Sequence, residues 1–294
     1  MITAPLAIFC YNRPWHLEQT VESLKRNPGA EELDVLFFSD AAKTQEHAPA
    51  VAEVRRYLKT VEGFRSVQII ESDKNKGLSK SIIEGVSQIL AKHDSVIVLE
   101  DDMQCSPFFL GYMQSALDQY KNVEEVISIH AYSYPIQDLP TSFFLKGADC
   151  WGWATWRRGW EIFNADGNVL LEQIKAKGLN KRFDFENSYP YTRMLERQVK
   201  GENHSWAVRW YASALLADKL TLYPGKSLIR NLGNDASGTH SEKTDLFDPY
   251  LANQMPVFPN EVKESAAAYK AFAKFFKQTR RTAILRKLGL GRFF

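Results

Sequence analysis

The chain has 294 residues, 45% of them hydrophobic, enough to bury a large core as one extended domain or two tightly joined ones. A formal net charge of +2 argues against nucleic acid as a partner of the whole chain, and three scattered cysteines, Cys10, Cys105 and Cys150, exclude a disulfide framework or a clustered zinc site. No stretch reaches the apolar length of a membrane span and the start lacks the pattern of a signal peptide, so a cytoplasmic location is expected. In chain order, Pro5 to Cys10 reads as a strand, Tyr11-Asn12-Arg13-Pro14 as a turn, and Trp15 to Leu24 as a helix that Asn27-Pro28-Gly29 ends. Val35 to Phe38 is a second strand closed by Ser39 and Asp40, Ala48 to Leu58 a helix, and Val67 to Ile70 a third strand. A Lys76-Gly77 turn precedes a helix from Ser79 to Ala91, and a strand beginning at Val96 follows. Strands alternating with helices in this way predict a parallel α/β sheet with right-handed crossovers.

The fourth strand ends in Glu100-Asp101-Asp102, and ligands of parallel sheets collect at the carboxyl ends of strands. Three adjacent carboxylates repel one another, so a divalent cation that prefers hard oxygen ligands is a natural counter-ion, and it would in turn hold a phosphate. The same acids read more blandly as the approach to a helix over Phe108 to Tyr112, with Ser106 as N-cap and Pro107 at its first position. Arg13 in the first loop suits bidentate contact with a phosphate, and Asp40 suits hydrogen bonds from a base or ribose. Each has an alternative, Arg13 as a surface residue at a helix start and Asp40 as the cap of a turn.

Beyond the acids the chain is rich in aromatics and turns. Val126 to His130 and Phe143 to Lys146 read as strands, and Val169 to Lys177, Arg193 to Val199 and Ala207 to Leu216 as helices. Trp151, Trp153, Trp156 and Trp160 fall within ten residues. Such rings suit the apolar faces of sugars, although most of them are expected in the core. From Lys270 onward basic residues alternate with aromatic and aliphatic ones without an acid. That tail fits either a helix on an anionic membrane surface or a solvated helix packed on the protein body.

The order Phe9-Cys10-Tyr11-Asn12-Arg13-Pro14, Phe38-Ser39-Asp40, Lys76-Gly77-Leu78 and Leu99-Glu100-Asp101-Asp102 followed by Ser106-Pro107-Phe108-Phe109 resembles the GT-A glycosyltransferases. Within that fold it is most similar to the enzymes that add N-acetylglucosamine to mannose and to bacterial family-2-like transferases. The resemblance spans roughly Leu6 to His240 and implies a Rossmann-like α/β fold with a mostly parallel central sheet and an aromatic-rich acceptor half. It divides the chain into a donor half (1–125), an acceptor and catalytic half (126–255) and a basic helical tail (256–294). It implies a UDP-sugar donor with Mn2+ or Mg2+ on the diphosphate, and Asp102 as direct metal ligand with His240 as the second. Arg13, Asp40, Lys76, Glu100 and Asp101 would bind the donor, and Trp151, Trp153 and Trp206 the acceptor.

Inverting transfer needs a base near the acceptor hydroxyl. The resembling enzymes carry an aspartate in a Trp-Asp-Asp-Trp-like segment, whereas this chain reads Ser205-Trp206-Ala207-Val208-Arg209-Trp210. The base is therefore expected at Asp235, whose loop should close over the site, or at Glu202. The implied activity is transfer of a hexose or N-acetylhexosamine to a glycan or lipid-linked acceptor in bacterial surface polysaccharide synthesis, peripheral to the inner face of the cell membrane. A sugar nucleotidyltransferase is the alternative enzyme, although the glycine-rich loop of that class is missing after Cys10. A glycan-binding protein without turnover is the alternative outside enzymology.

Overall fold

The computed structural model describes residues 4–235 and 246–287. The first hundred residues form β1 (Leu6–Cys10), α1 (Pro14–Lys25), β2 (Asp34–Ser39), α2 (Ala48–Leu58), β3 (Ser66–Glu71), α3 (Leu78–Leu90) and β4 (Ser95–Glu100). Neighbouring strands pair in parallel in the order β3-β2-β1-β4, with Leu6 opposite Val35 on one side and Ile97 on the other. Both faces of β1 are buried, which explains its unbroken apolar sequence. Leu6, Ile8 and Cys10 pack with Leu17, Val21 and Leu24 of α1 and Val54 of α2, while Ala7 and Phe9 point the other way to Ile82, Val86 and Ile89 of α3.

The rest of the chain adds β5 (Met103–Cys105), α4 (Phe109–Gln119), β6 (Val126–His130), β7 (Ser142–Lys146), β8 (Trp153–Trp156), α5 (Arg157–Trp160), α6 (Gly167–Ala176) and α7 (Asn180–Phe183). It continues with α8 (Tyr191–Val199), α9 (Ala207–Leu216), β9 (Leu220–Pro224), β10 (Ile229–Asn231) and α10 (Ala266–Lys287). The complete sheet runs β3-β2-β1-β4-β8-β6-β9-β7. β8 is antiparallel to both β4 and β6, so β6 runs the same way as β4 and both end at one edge of the molecule. β9 is parallel to β6, and β7 closes the sheet antiparallel to β9. The chain enters β8 at the edge where β4 and β6 end, with Trp153 opposite Val98 and His130. A two-stranded antiparallel ribbon of β5 and β10 lies at the same edge and pairs Ile229 with Cys105 and Asn231 with Met103.

Residues on both sides of position 125 share one core, in which Ile8 and Leu99 belong to the same cluster as Ile129, Leu222 and Ala252. The tail helix supplies Ala268, Phe272 and Phe276 to a third cluster with Phe143, Leu145 and Tyr223. Through Phe276 its apolar side is thus covered by the protein itself, while Lys270, Lys274, Lys277 and Arg281 remain exposed. Among the described residues no helix is long and apolar enough to cross a membrane.

Candidate functional site

The strand β4 delivers its three carboxylates to the carboxyl edge of the parallel strands, against the loop that follows β1. Arg13, at the foot of α1, reaches across with its Nη2 to Asp101 Oδ1 at 2.5 Å and Asp102 Oδ2 at 2.9 Å. The backbone N–H of Tyr11 donates to Asp101 Oδ2 at 3.1 Å, and Thr20 Oγ1 donates to the Asp101 carbonyl. Two buried acids, Asp101 and Asp102, and the half-buried Glu100 therefore face one guanidinium. Desolvation, then repulsion from Asp102 and Asp101, lifts the Glu100 carboxyl to about 8. Desolvation, opposed by Arg13 and reinforced by Asp102, lifts Asp101 to about 6. Burial alone would lower the Arg13 pKa, but Asp101 and Asp102 outweigh it and raise it.

Asp102 carries the observation most relevant to a ligand. Its Oδ2 is taken by Arg13, while Oδ1 is buried without a hydrogen-bond partner. A buried carboxylate oxygen of this kind is costly unless something electropositive occupies the adjacent space. The β10 segment presses down on the same residue: Leu232 N–H donates to the Asp102 carbonyl at 2.8 Å, and a Cβ added at Gly233 would lie 2.2 Å from Asp102 Oδ2 and 2.8 Å from Arg13 Nη1. Only glycine permits that approach.

Asp235, two residues on, is an exposed carboxylate whose Oδ2 lies 3.1 Å from His16 Nε2 on α1. It thus stands on the Arg13 side of the acids. Glu202 is placed elsewhere: it is exposed, bonded to Arg197 Nε at 3.1 Å, and lines a surface cavity of about 530 Å³ with Arg193, Glu196, Arg197 and Lys200. His240 lies outside the described residues. Asp40 is buried and clamps the loop that opens α3, accepting from the backbone N–H groups of Ala41, Lys76 and Gly77 and from Asn75 Nδ2. The Lys76 ammonium points to Glu84 at 2.8 Å on α3.

The expected aromatic platform narrows to one ring. Trp153 and Trp206 are 0% and 4% exposed, 5.3 Å apart, in the cluster that also holds Trp160 and Trp210. These tryptophans, from two distant stretches of sequence, pack on one another because β8, α5 and α9 converge there, and they are buried in the core. Trp151, one pleat before β8, is partly exposed with its ring 4.8 Å from Tyr132. The structure also brings to this edge residues that the sequence reading passed over, namely His16, Gly233, His130 and Asp149. Asp149 had one sequence signal, since it is the only acid between Gly147 and Trp160 in an aromatic run.

Residues 6–160 match the family described as Glycosyl transferase family 2. No curated protein matches the chain. Among solved structures, the chain is similar to the mannosyltransferase PcManGT from Pyrobaculum calidifontis, solved with GDP-Man and Mn2+, at 15% identity and a TM-score of 0.34, over 46% of this chain and 37% of that one. It is similar to TarS of S. aureus at 15% identity and 0.33, over 49% and 24%. A cytidylyltransferase from Leptospira borgpetersenii matches at 12% identity and 0.33, over 55% and 63%. The chain thus spans less than two thirds of each of these proteins.

Proposed function

The chain belongs to glycosyltransferase family 2, and from that premise we propose that it transfers a hexose or N-acetylhexosamine from a UDP-sugar to a glycan or lipid-linked saccharide, with inversion, in bacterial surface polysaccharide synthesis. The observation that carries this reading is the Glu100-Asp101-Asp102 edge, where excess negative charge is buried and Asp102 Oδ1 has no partner. A hard divalent cation, Mn2+ or Mg2+, fits that chemistry, and Asp102 would hold it. Such ions commonly take one or two carboxylates and complete their shell with substrate phosphates. Among the described residues no group of three or more His, Cys, Asp or Glu is placed to hold a metal ion. When bound, the cation stabilises the charge that develops on the leaving diphosphate.

This chain's own residues supply the rest. Arg13 neutralises the acids and has the planar fork that phosphate oxygens accept from. Asp101 is fixed by the Tyr11 N–H and Arg13, on the side where ribose or sugar hydroxyls would lie. Asp40 fixes the loop through Asn75, Lys76 and Gly77 that would border the base. The test is thermal stability with UDP, GDP and their sugars, each with and without Mn2+. Ligand at about 100 times its dissociation constant adds roughly 2.7 kcal/mol to the folded state. A rise in Tm that needs UDP and Mn2+ together is the expected result; no rise with any nucleotide would sink the donor site.

The exposed stripe of Lys270, Lys274, Lys277 and Arg281 on α10 supports contact with an anionic lipid surface beside the acceptor. Each cation near such a surface contributes on the order of 1 kcal/mol. Co-sedimentation with phosphatidylcholine vesicles that contain phosphatidylglycerol should be lost at high salt and on changing all four residues to glutamine. Equal binding by that variant would remove the membrane from the proposal.

A further inference from the structure

A second carboxylate stands at the edge where β4 and β6 end. Asp149 lies in the segment that leads into β8, and the Cβ position of Gly152 in that segment is 3.4 Å from Leu99 Cδ2, one residue before the acids. Cys150 registers the same neighbourhood: burial, then Asp149, Glu100 and Asp102, hold its thiol well above the usual range. The Asp149 side chain is 26% exposed, so it is open to a ligand without being free in solvent. Its Oδ1 accepts from the Cys150 N–H at 2.8 Å, and its Oδ2 faces His130 Nε2 at 3.6 Å.

His130 is the unusual member. It ends β6 fully buried, and neither ring nitrogen has a hydrogen-bond partner. Burial, opposed by Asp149, holds its imidazole below the usual pKa and therefore neutral. The groups facing this pair come from several elements: Tyr132 and Tyr134 after β6, Tyr223 on β9, and Tyr189 and Tyr191 at the start of α8, all of whose phenols are raised by burial and, among other groups, by Asp149. Tyr134, Tyr189, Tyr191 and Trp151 are partly exposed, and the three phenols lie close enough to feel the Asp149 charge.

The aromatic cluster is held at a backbone cost. Phe185, Glu186 and Asn187 are three successive non-glycine residues with positive φ, at 45°, 58° and 63°. α10 pins this turn through Arg280 Nη1 donating to the Asn187 carbonyl and Tyr269 hydroxyl bonding to Glu186, and Phe276 backs the Tyr189 ring at 5.1 Å. Strained segments of this kind persist where they hold a site in shape. Here the turn delivers Tyr189 and Tyr191 to the ring cluster.

We infer that Asp149 is the acceptor-side base and that neutral His130 is its positioning residue, an assignment that rests on the glycosyltransferase reading above. As the acceptor hydroxyl oxygen bonds to the anomeric carbon, its proton passes to the Asp149 carboxylate. The bond from that carbon to the diphosphate breaks, and its electron pair leaves with the diphosphate. His130 Nε2 stands 3.6 Å from Asp149 Oδ2, beyond hydrogen-bond length, and with its proton on Nε2 a closure of about 0.5 Å on acceptor binding would let it donate and hold the carboxylate toward the acceptor. Partly exposed aromatic rings near one carboxylate suit a saccharide acceptor, whose C–H faces stack while a hydroxyl is presented. Asp235, paired with His16 beside Arg13, lies on the donor side by comparison.

The experiment measures UDP release from UDP-N-acetylglucosamine and UDP-glucose, with water and with octyl glycosides of common hexoses as acceptors, alongside the UDP and Mn2+ thermal shift. Asp149→Asn, which preserves shape and the Cys150 contact, should keep the shift and lose about 10²–10⁴-fold in turnover. Asp149→Glu should recover part of it. His130→Phe should lower kcat roughly tenfold with donor KM unchanged, and His130→Gln, which can place an N–H near the Nε2 position, should restore most of that. Wild-type turnover in Asp149→Asn overturns the base assignment, and equal kcat in the two His130 variants overturns the positioning role. A wild-type protein that shows no nucleotide shift overturns the transferase reading instead, and this assignment with it.

Discussion

Asp102→Asn is expected to abolish the joint stabilisation by UDP and Mn2+ and to reduce turnover on the order of 10²–10³-fold or more, while the unliganded protein melts at the same temperature or higher. Both halves of that result come from one geometry. Asp102 is 6% exposed, its Oδ2 is held by Arg13, and its Oδ1 is buried with no partner. Asparagine preserves the volume but removes the charge that attracts a cation. Without ligand, the same charge is a burden. Glu100 is pushed up to about 8 by desolvation and by Asp102 and Asp101, so deleting one negative charge relieves its neighbours. A structural residue would behave in the opposite way, with Tm and activity falling together. Thermal melts of wild type and variant, each with and without UDP and Mn2+, separate the two cases.

Gly233→Ala should lose nucleotide affinity by at least about tenfold while costing only about 1–3 kcal/mol of stability. The added Cβ would sit 2.2 Å from Asp102 Oδ2 and 2.8 Å from Arg13 Nη1. Both obstacles are the ends of side chains, so the fold can yield by displacing them, and what yields is the ion pair at the candidate site. Gly225→Ala is the matched contrast. There the Cβ would meet the Pro140 carbonyl oxygen at 1.9 Å, a backbone atom that cannot swing away. That variant should lose several kcal/mol of stability, on the order of 3 or more, without a selective effect on nucleotide binding. Urea denaturation and calorimetric UDP titration of both variants would decide; equal selectivity in the two would show that Gly233 is a packing residue only.

Local periodicity served well where one element's own residues decide its conformation. α2 and α9 fall on Ala48–Leu58 and Ala207–Leu216 and β6 on Val126–His130, as expected from their patterns. It failed at β8, where Trp153–Trp156 is buried on both faces and flanked by further tryptophans, so no alternation distinguishes strand from aromatic cluster. β5 and β10, three residues each, are too short to carry a period and exist because they pair with each other. β9 was likewise unread, although it is a fully buried interior strand between β6 and β7.

The linear order of residues was sufficient for the parallel strands, the acids at the end of β4 and the charge of the tail helix, because each is a property of neighbours along the chain. Tertiary structure alone decided that Trp153 and Trp206 are core while Trp151 is accessible, since burial depends on which helices arrive from elsewhere. It alone placed Gly233 on Asp102 across 131 positions of sequence and Asp149 beside His130 across 19. It also turned the apolar side of α10 into the core and left its cations outside. These are contacts between elements whose separation in sequence exceeds any local period, and only the closing of the sheet brings them within reach.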